Sequence, residues 1–329
     1  MHHQKVAVCL LLLAALVWLP GCGGHSGETY VLVSTNIKIP YWQSASAGFA
    51  RSAQQLGVGY SFVGPDVYDA NAERDALENA IQKKPAGILI SVSDANVVKD
   101  GIDHAVAAGI PIITLDSDAP SSKRLFFIGT NNYQAGMAGG KRLIQELKGK
   151  GDVVVFTMPS QPNLTERLHG YRDALENSPQ IKLSHMVDMK GDSRIAFDTT
   201  TQLLANDKKE HIDAFVCLEA LSGKEVATVL DNNGIKGKTI VAMDTDPETL
   251  SWIQKGVIAA TISQKPYTMA FVGLKMLDDL HHERLNTLDA DWAHDNFAPV
   301  PSFVDTGSAV VDKSNVDAFL AASKSVTGK

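Results

Sequence analysis

The sequence predicts an α/β fold of two similar lobes, each a parallel sheet with helices on its faces. Three observations predict it. Short β-rich runs alternate with helical runs along nearly the whole chain, the pattern of βαβ units. The run Gly87–Ser91 is continuous in Ile and Leu rather than alternating, as in strands covered on both faces. The same rhythm then restarts beyond Asn131, so a second lobe repeats the first.

The elements follow in order. Tyr30–Ser34 is a strand, and Tyr41–Leu56 is a helix closed by Gly57, a residue suited to the left-handed C-terminal position. Tyr60–Val63 is a strand, followed by a loop with Asp66 and Asp69. Ala72–Gln82 is a helix stopped ahead of Pro85, Gly87–Ser91 a strand, and Val97–Ala108 a helix ended by Gly109. Ile110–Leu115 is a strand with Asp116 at its end, and Phe126–Ile128 is a short fifth strand. In the second set, helices are expected at Ala135–Leu147, Thr165–Glu176, Ile195–Ala205, Gly223–Asn232 and Pro266–Leu280. Strands are expected at Asp152–Thr157, Lys182–Val187, Ala214–Leu218, Thr239–Met243 and Ala259–Ser263. Asn286–Phe297 is polar, with Trp292 and His294, and reads as a loop.

In open parallel sheets, ligands bind beyond the carboxyl ends of the strands. The polar residues just after strands are therefore the first candidates: Ser34, Ser91, Asp116, Glu219, Asp244 and Gln264. A carboxylate at such a position accepts two hydroxyl hydrogen bonds at once, which suits a polyol or sugar. Two separated carboxylates also fit a general acid and base, and either could instead cap the next helix. Asp246 before Pro247 is the better cap candidate than Asp244, because Pro favours the first helical position, and Asp118 before Ala119-Pro120 serves its own turn. Tyr41 and Trp42 open the first helix. Aromatic faces stack on the apolar C–H faces of sugar rings, and core packing is the alternative for one of the two.

Enzyme signatures are missing. The chain has no phosphate loop and no nucleophile elbow, and no set of nucleophile, base and orienting group. Gly136, Gly139 and Gly140 lie in a helical pattern and read as helix-packing residues. The three cysteines, Cys9, Cys22 and Cys217, have no metal-ligand spacing, and Cys217 reads as a buried strand residue. His281 and His282 at a helix end fit the helix dipole, so no metal and no cofactor are expected. The net charge of −7, without a basic run, argues against nucleic acid as a partner. Hydrophobic content of 44% supports real cores.

The chain opens with His2, His3 and Lys5, then the apolar run Val6–Leu19 and Leu19-Pro20-Gly21-Cys22. The run is shorter than the roughly 20 residues of a membrane span and reads as a signal-peptide core. Gly21 directly before Cys22 resembles the lipobox of bacterial lipoproteins. That resemblance implies cleavage before Cys22 and lipidation of its thiol, and ordinary secretion with cleavage near Gly24 is the alternative. Residues 22–29 then form a flexible tether.

The folded part resembles the periplasmic binding proteins of sugar ABC transporters, the ribose- and galactose-binding group of type 1 fold. The resemblance spans nearly all of the mature chain. It is carried by Val33-Ser34-Thr35 with Pro40-Tyr41-Trp42, Ile88-Leu89-Ile90-Ser91, and Gly109-Ile110-Pro111-Ile112-Ile113-Thr114-Leu115-Asp116. It continues through Phe127-Ile128-Gly129-Thr130-Asn131-Asn132, Glu166-Arg167-Leu168-His169-Gly170-Tyr171, Val241-Ala242-Met243-Asp244 and Ala259-Ala260-Thr261-Ile262-Ser263-Gln264. It implies two Rossmann-like lobes joined by a three-strand hinge. Residues 1–21 would be the signal peptide. Residues 30–131 with 265–297 would form the first lobe, and 132–264 with 298–329 the second. The crossings would lie near Asn131, near Gln264 and at Asn296–Phe303.

The resemblance also implies site roles. Tyr41 and Trp42 flank the ring, Ser34 and Ser91 lie at the ends of their strands, and Ser117 follows Asp116 where the family often has arginine. Asp116 and Asp244 accept ligand hydroxyls from opposite lobes, Arg167 donates in a fork, and Gln264 closes the site at a hinge. Glu219 stands where an asparagine is expected and needs a ligand hydroxyl, an ammonium or Arg167 as partner. With Lys38 it leaves room for a charged ligand. The expected function is capture of a monosaccharide outside the cytoplasm by a monomer, anchored to a membrane through lipid on Cys22, with delivery to an ABC permease. A sensor of the same fold docking on a membrane receptor or kinase is the alternative. The signal segment and the lack of a helix-turn-helix exclude a transcription repressor.

Overall fold

The computed structural model describes residues 25, 27–206, 211–283, 291–292, 295 and 297–327. The segment expected to be a signal peptide, Cys22 and most of the stretch 286–297 expected to be a loop lie outside the described residues. Two six-stranded sheets form the molecule. The first contains β1 (Thr29–Val33), β2 (Gly59–Val63), β3 (Gly87–Ile90), β4 (Ile112–Leu115), β5 (Phe127–Gly129) and β11 (Phe303–Asp305). The second contains β6 (Gly151–Thr157), β7 (Ile181–Asp188), β8 (Ile212–Cys217), β9 (Thr239–Met243), β10 (Ala260–Ser263) and β12 (Ala309–Asp312). Their spatial orders are β2-β1-β3-β4-β5-β11 and β7-β6-β8-β9-β10-β12, the same doubly wound order twice. All pairings are parallel except β10 with β12.

The helices are α1 (Pro40–Leu56), α2 (Ala70–Gln82), α3 (Ala95–Ala107), α4 (Asn132–Leu147), α5 (Pro162–Leu175), α6 (Ser193–Ala205), α7 (Ser222–Asn232), α8 (Pro247–Lys255), α9 (Pro266–His282) and α10 (Val316–Thr327). Local chemistry explains their ends. Gly57 takes the left-handed conformation that closes α1, and Asp69 accepts from the Asn71 and Ala72 N–H groups to open α2. Asp246 accepts from Glu248 and Thr249 N–H with Pro247 at the first position of α8, as its sequence context predicts. In the first lobe, one face of the sheet packs Trp42, Phe49, Met269 and Leu274 of α1 and α9. The other face packs Leu77, Val98 and Ile102 of α2 and α3. The second lobe has one large core of Val153–Phe156, Phe215, Val216 and Val241 with its covering helices and a small cluster of Ala135, Met243 and Ile262.

The chain passes between the sheets three times. It leaves β5 at Gly129 and enters α4 at Asn132, and it leaves β10 at Ser263 and enters α9, which packs on the first sheet. The third passage differs from the expected Asn296–Phe303. Phe303–Asp305 pairs with β5 in the first sheet, and Phe303 stacks on Phe127 with ring centroids 5.2 Å apart. The crossing therefore falls at 306–308, and residues 298–305 stay with the first sheet. β12 enters the second sheet from this short turn, which makes it antiparallel to β10.

The glycines of α4 act in packing. A Cβ on Gly136 would lie 2.0 Å from the Arg167 carbonyl oxygen, and one on Gly170 would lie 2.1 Å from that of Tyr133. Only hydrogen at these positions lets α4 and α5 touch backbone to backbone, and this contact seats Arg167. Cys217 is buried in β8, and burial pushes its thiol well up, as for an inert core residue. Among the described residues no helix is long and apolar enough to cross a membrane.

Candidate ligand-binding site

The carboxyl ends of the two sheets face one another across a cleft. Asp116 follows β4 and Asp244 follows β9, which hold the same place in the two strand orders. Both take left-handed backbone conformations, with φ of 63° and 69°. Such values are uncommon outside glycine, although aspartate tolerates them better than most residues. At Asp116 the cause is visible: the Ser117 N–H donates to the Leu115 carbonyl at 2.6 Å, a three-residue turn centred on Asp116. The turn throws the Asp116 carboxylate into the cleft and folds Ser117 back into the lobe.

The cleft is lined by residues of both lobes, including Tyr41, Trp42, Asp116, Asn163, Arg167 and Glu219, together with Asp244 and Gln264. Its free volume is about 30 Å³, room for a water or two. Side chains satisfy one another across it. Tyr41 Oη donates to Asp116 Oδ1 at 2.5 Å, and Asn163 Nδ2 reaches Asp116 Oδ2 from the opposite lobe at 3.3 Å. Gln264 Nε2 donates to Asp244 Oδ1 at 2.9 Å, while Gln264 Oε1 is buried without a hydrogen-bond partner. Trp42 is 2% exposed and meets Tyr41 edge to face, centroids 5.1 Å apart. It belongs at once to the first lobe's core and to the cleft wall.

Arg167 is the one cation among the described residues lining the cleft. Its guanidinium is 2% exposed. It donates to the Leu218 carbonyl and to Asn132 Oδ1 at 2.6 Å, and its Nε is buried without a partner. Three buried carboxylates surround this single charge. Burial pushes Asp244 up to about 7, with Asp116 and Glu219 adding to the rise and Arg167 and Gln264 opposing it. Burial likewise raises Asp116, against the Tyr41 hydrogen bond and Arg167. Such a site favours a neutral ligand that brings many hydroxyl donors.

The structure departs from the sequence expectations at several residues. Ser34, Ser91 and Ser117 are fully buried and their hydroxyls find no hydrogen-bond partner, but they lie outside the cleft wall. Strand alternation turns the first residue past a strand inward unless a turn such as that at Asp116 intervenes. Glu219 lines the cleft and feels the Arg167 charge, but its hydrogen bonds are spent within its own lobe. It accepts from the N–H groups of Leu221 at 2.6 Å and Ser222 at 3.0 Å and from the Ser222 hydroxyl, capping α7. Lys38 is exposed and pairs with Asp66 at 3.5 Å, so it adds no charge to the cleft. The sequence reading missed Thr35, Tyr68, Gln161 and Asn163, which also line it. Asn163 had a usable signal: it stands four residues before Arg167, on the same face of α5.

Fold and site together define a two-lobed binding protein that closes on a small polar solute. The chain matches the periplasmic binding protein domain over residues 30–283, and it belongs to that family, a family of binding proteins rather than enzymes. Among curated relatives, the D-allose-binding periplasmic protein of Escherichia coli (strain K12) is 27% identical over 262 residues, covering 76% of this chain and 83% of the relative. Among solved structures, a sugar ABC transporter sugar-binding protein from Bacillus halodurans is 35% identical with a TM-score of 0.75, covering 89% of this chain and 99% of that one. A carbohydrate transporter solute-binding protein from Agrobacterium radiobacter, in complex with D-arabinose, is 27% identical with a TM-score of 0.80, covering 90% and 99%.

Proposed function

We propose that this protein captures a monosaccharide between its lobes and hands it to an ABC permease. The observation that carries the reading is the pair of buried carboxylates, Asp116 and Asp244, aimed into one cleft from equivalent strand ends in opposite lobes. Tyr41, Asn163 and Gln264 now occupy their acceptor positions. Sugar hydroxyls would take over those hydrogen bonds as the lobes part and re-close, the hinge behaviour open to such folds. The Trp42 and Tyr41 rings would flank the sugar, and Arg167 would offer its unpartnered Nε. The likeness to binding proteins for allose and arabinose supports a pentose or hexose. Cys22 would carry lipid and hold the protein to a membrane on the extracytoplasmic side, the tether leading into β1.

A thermal-shift screen against pentoses, hexoses, amino sugars, polyols and nucleosides tests the reading. A ligand at a hundred times its Kd adds about 2.7 kcal/mol and raises Tm by about 5 °C in a chain of this size. A pentose or hexose is expected to give that shift. A screen in which no sugar moves Tm while charged solutes do would overturn it.

A further inference from the structure

At the end of the first lobe remote from the cleft, four side chains converge from both ends of the sequence. His25 and Glu28 precede β1, and Asp278 and His282 lie one helical turn apart near the end of α9. One ligand atom from each falls within 4.8 Å of all the others. His25 Nδ1 is 3.4 Å from a Glu28 carboxylate oxygen and 3.2 Å from Asp278 Oδ1. His282 Nε2 is 3.1 Å from the other Glu28 oxygen. A tetrahedral zinc ion with bonds of about 2.0–2.1 Å sets its ligand atoms roughly 3.3 Å apart, close to the three contacts of 3.1–3.4 Å made here.

The hydrogen bonding leaves a place for a cation at the centre. His282 Nδ1 lies 2.8 Å from the Asp278 carbonyl oxygen. That contact holds a proton on Nδ1 and turns Nε2 toward the Glu28 carboxylate, a gap that a proton or a metal ion bridges. The Nδ1 contact is the outer bond by which a metal-bound histidine is oriented. His25 Nδ1 and Glu28 Oε2 are buried from solvent, and neither makes a hydrogen bond. Asp278 is only 5% exposed, and the buried Tyr30 hydroxyl donates to its Oδ1 at 3.1 Å, holding the same oxygen that faces His25. Two imidazoles with two carboxylates select zinc-like ions over calcium or magnesium, which prefer all-oxygen cages. The sequence concealed the site because its two halves lie some 250 positions apart in the chain.

We propose that His25, Glu28, Asp278 and His282 form a structural zinc site that clamps the start of the folded chain to α9. The test uses the full chain, kept in detergent, purified without a polyhistidine tag and stripped with a chelator. Zinc is titrated against a chromophoric chelator for the wild type, His25→Asn and His282→Asn. Each variant is expected to bind one equivalent fewer, because losing a ligand costs more than the about 10–100-fold carried by an outer partner. Zinc is expected to raise the Tm of the wild type alone. The wild type loaded with cobalt is expected to show the intense visible absorption of a tetrahedral centre, a readout independent of whether the variants fold. Equal zinc stoichiometry and affinity in all three proteins, or only a weak octahedral cobalt spectrum in the wild type, would overturn the proposal and leave the cluster as a proton-bridged contact.

Discussion

Replacing Asp244 with asparagine sets stability against binding, and the size of the effect follows from where that carboxylate sits. Burial moves its ionisation from an ordinary 3.8 up to about 7. The folded chain therefore holds a proton that the unfolded chain releases across that interval, and stability falls as pH rises from about 4 to 7. At ~1.4 kcal/mol for each tenfold change in ionisation constant, the cost reaches ~2 kcal/mol at pH 5 and ~4 kcal/mol at pH 8. A neutral amide in the same place would carry no such cost. Asparagine accepts the left-handed backbone at φ 69°, and its carbonyl can keep the hydrogen bond that Gln264 now gives Asp244. Denaturant unfolding of wild type and Asp244→Asn at pH 5 and pH 8 is expected to show the variant more stable, with the gap about 2.5 kcal/mol wider at the higher pH. The same variant is expected to bind sugar about 10–100-fold more weakly, since hydrogen bonds to a charged acceptor contribute about 1.5–3 kcal/mol. A stability difference that is the same at both pH values would refute the reasoning, because desolvation of an ionised Asp244 would then not be its source.

Two further substitutions probe the machinery around Asp244. Arg167→Met removes the one cation among the described cleft residues and is expected to weaken sugar binding at least about tenfold by calorimetry; unchanged affinity would remove Arg167 from the site. Gly170→Ala drives a methyl against the Tyr133 carbonyl and is expected to cost about 1–3 kcal/mol through overpacking. Calorimetry should then show Tm falling by several degrees, and an unchanged Tm would mean that α4 and α5 part freely.

How much of this was legible in the sequence depends on the length of the signal. The long apolar strands and their helices read directly, because burial on both faces writes itself into composition. α8 was missed at nine residues, although its cap, Asp246, was recognised. α10 was missed despite Val316, Phe319 and Leu320 at helical spacing, the residues that pack on the second core. β11 went unread because its polar, proline-bounded surroundings carry no strand pattern, and its place is set by pairing with β5 and stacking on Phe127. Asp116 and Asp244 were legible because position after a strand is a local property. The role of Glu219 was not, since the donors that satisfy it belong to a helix end whose geometry only the folded chain defines.

The two cleft carboxylates also share a local design. Each opens a short acidic motif, Asp116-Ser117-Asp118 and Asp244-Thr245-Asp246, with a proline close behind. In both, the second aspartate serves its own chain. Asp118 accepts from the Ala119 N–H at 2.8 Å, from Thr114 Oγ1 at 2.6 Å and from Arg124 in a two-bond fork; Asp246 caps α8. At Asp116 the bond from the Ser117 N–H to the Leu115 carbonyl closes the turn that keeps the left-handed conformation. Strain of this kind persists only where surrounding structure over-determines it. Both first aspartates keep the left-handed backbone, and with capping or turn contacts left to the second aspartate of each motif they face the cleft. The Asp244 carboxylate, raised to about 7, is oriented by Gln264 at its Oδ1 and by the Thr261 hydroxyl at its backbone carbonyl, so β10 and the residue after it hold the buried charge in place.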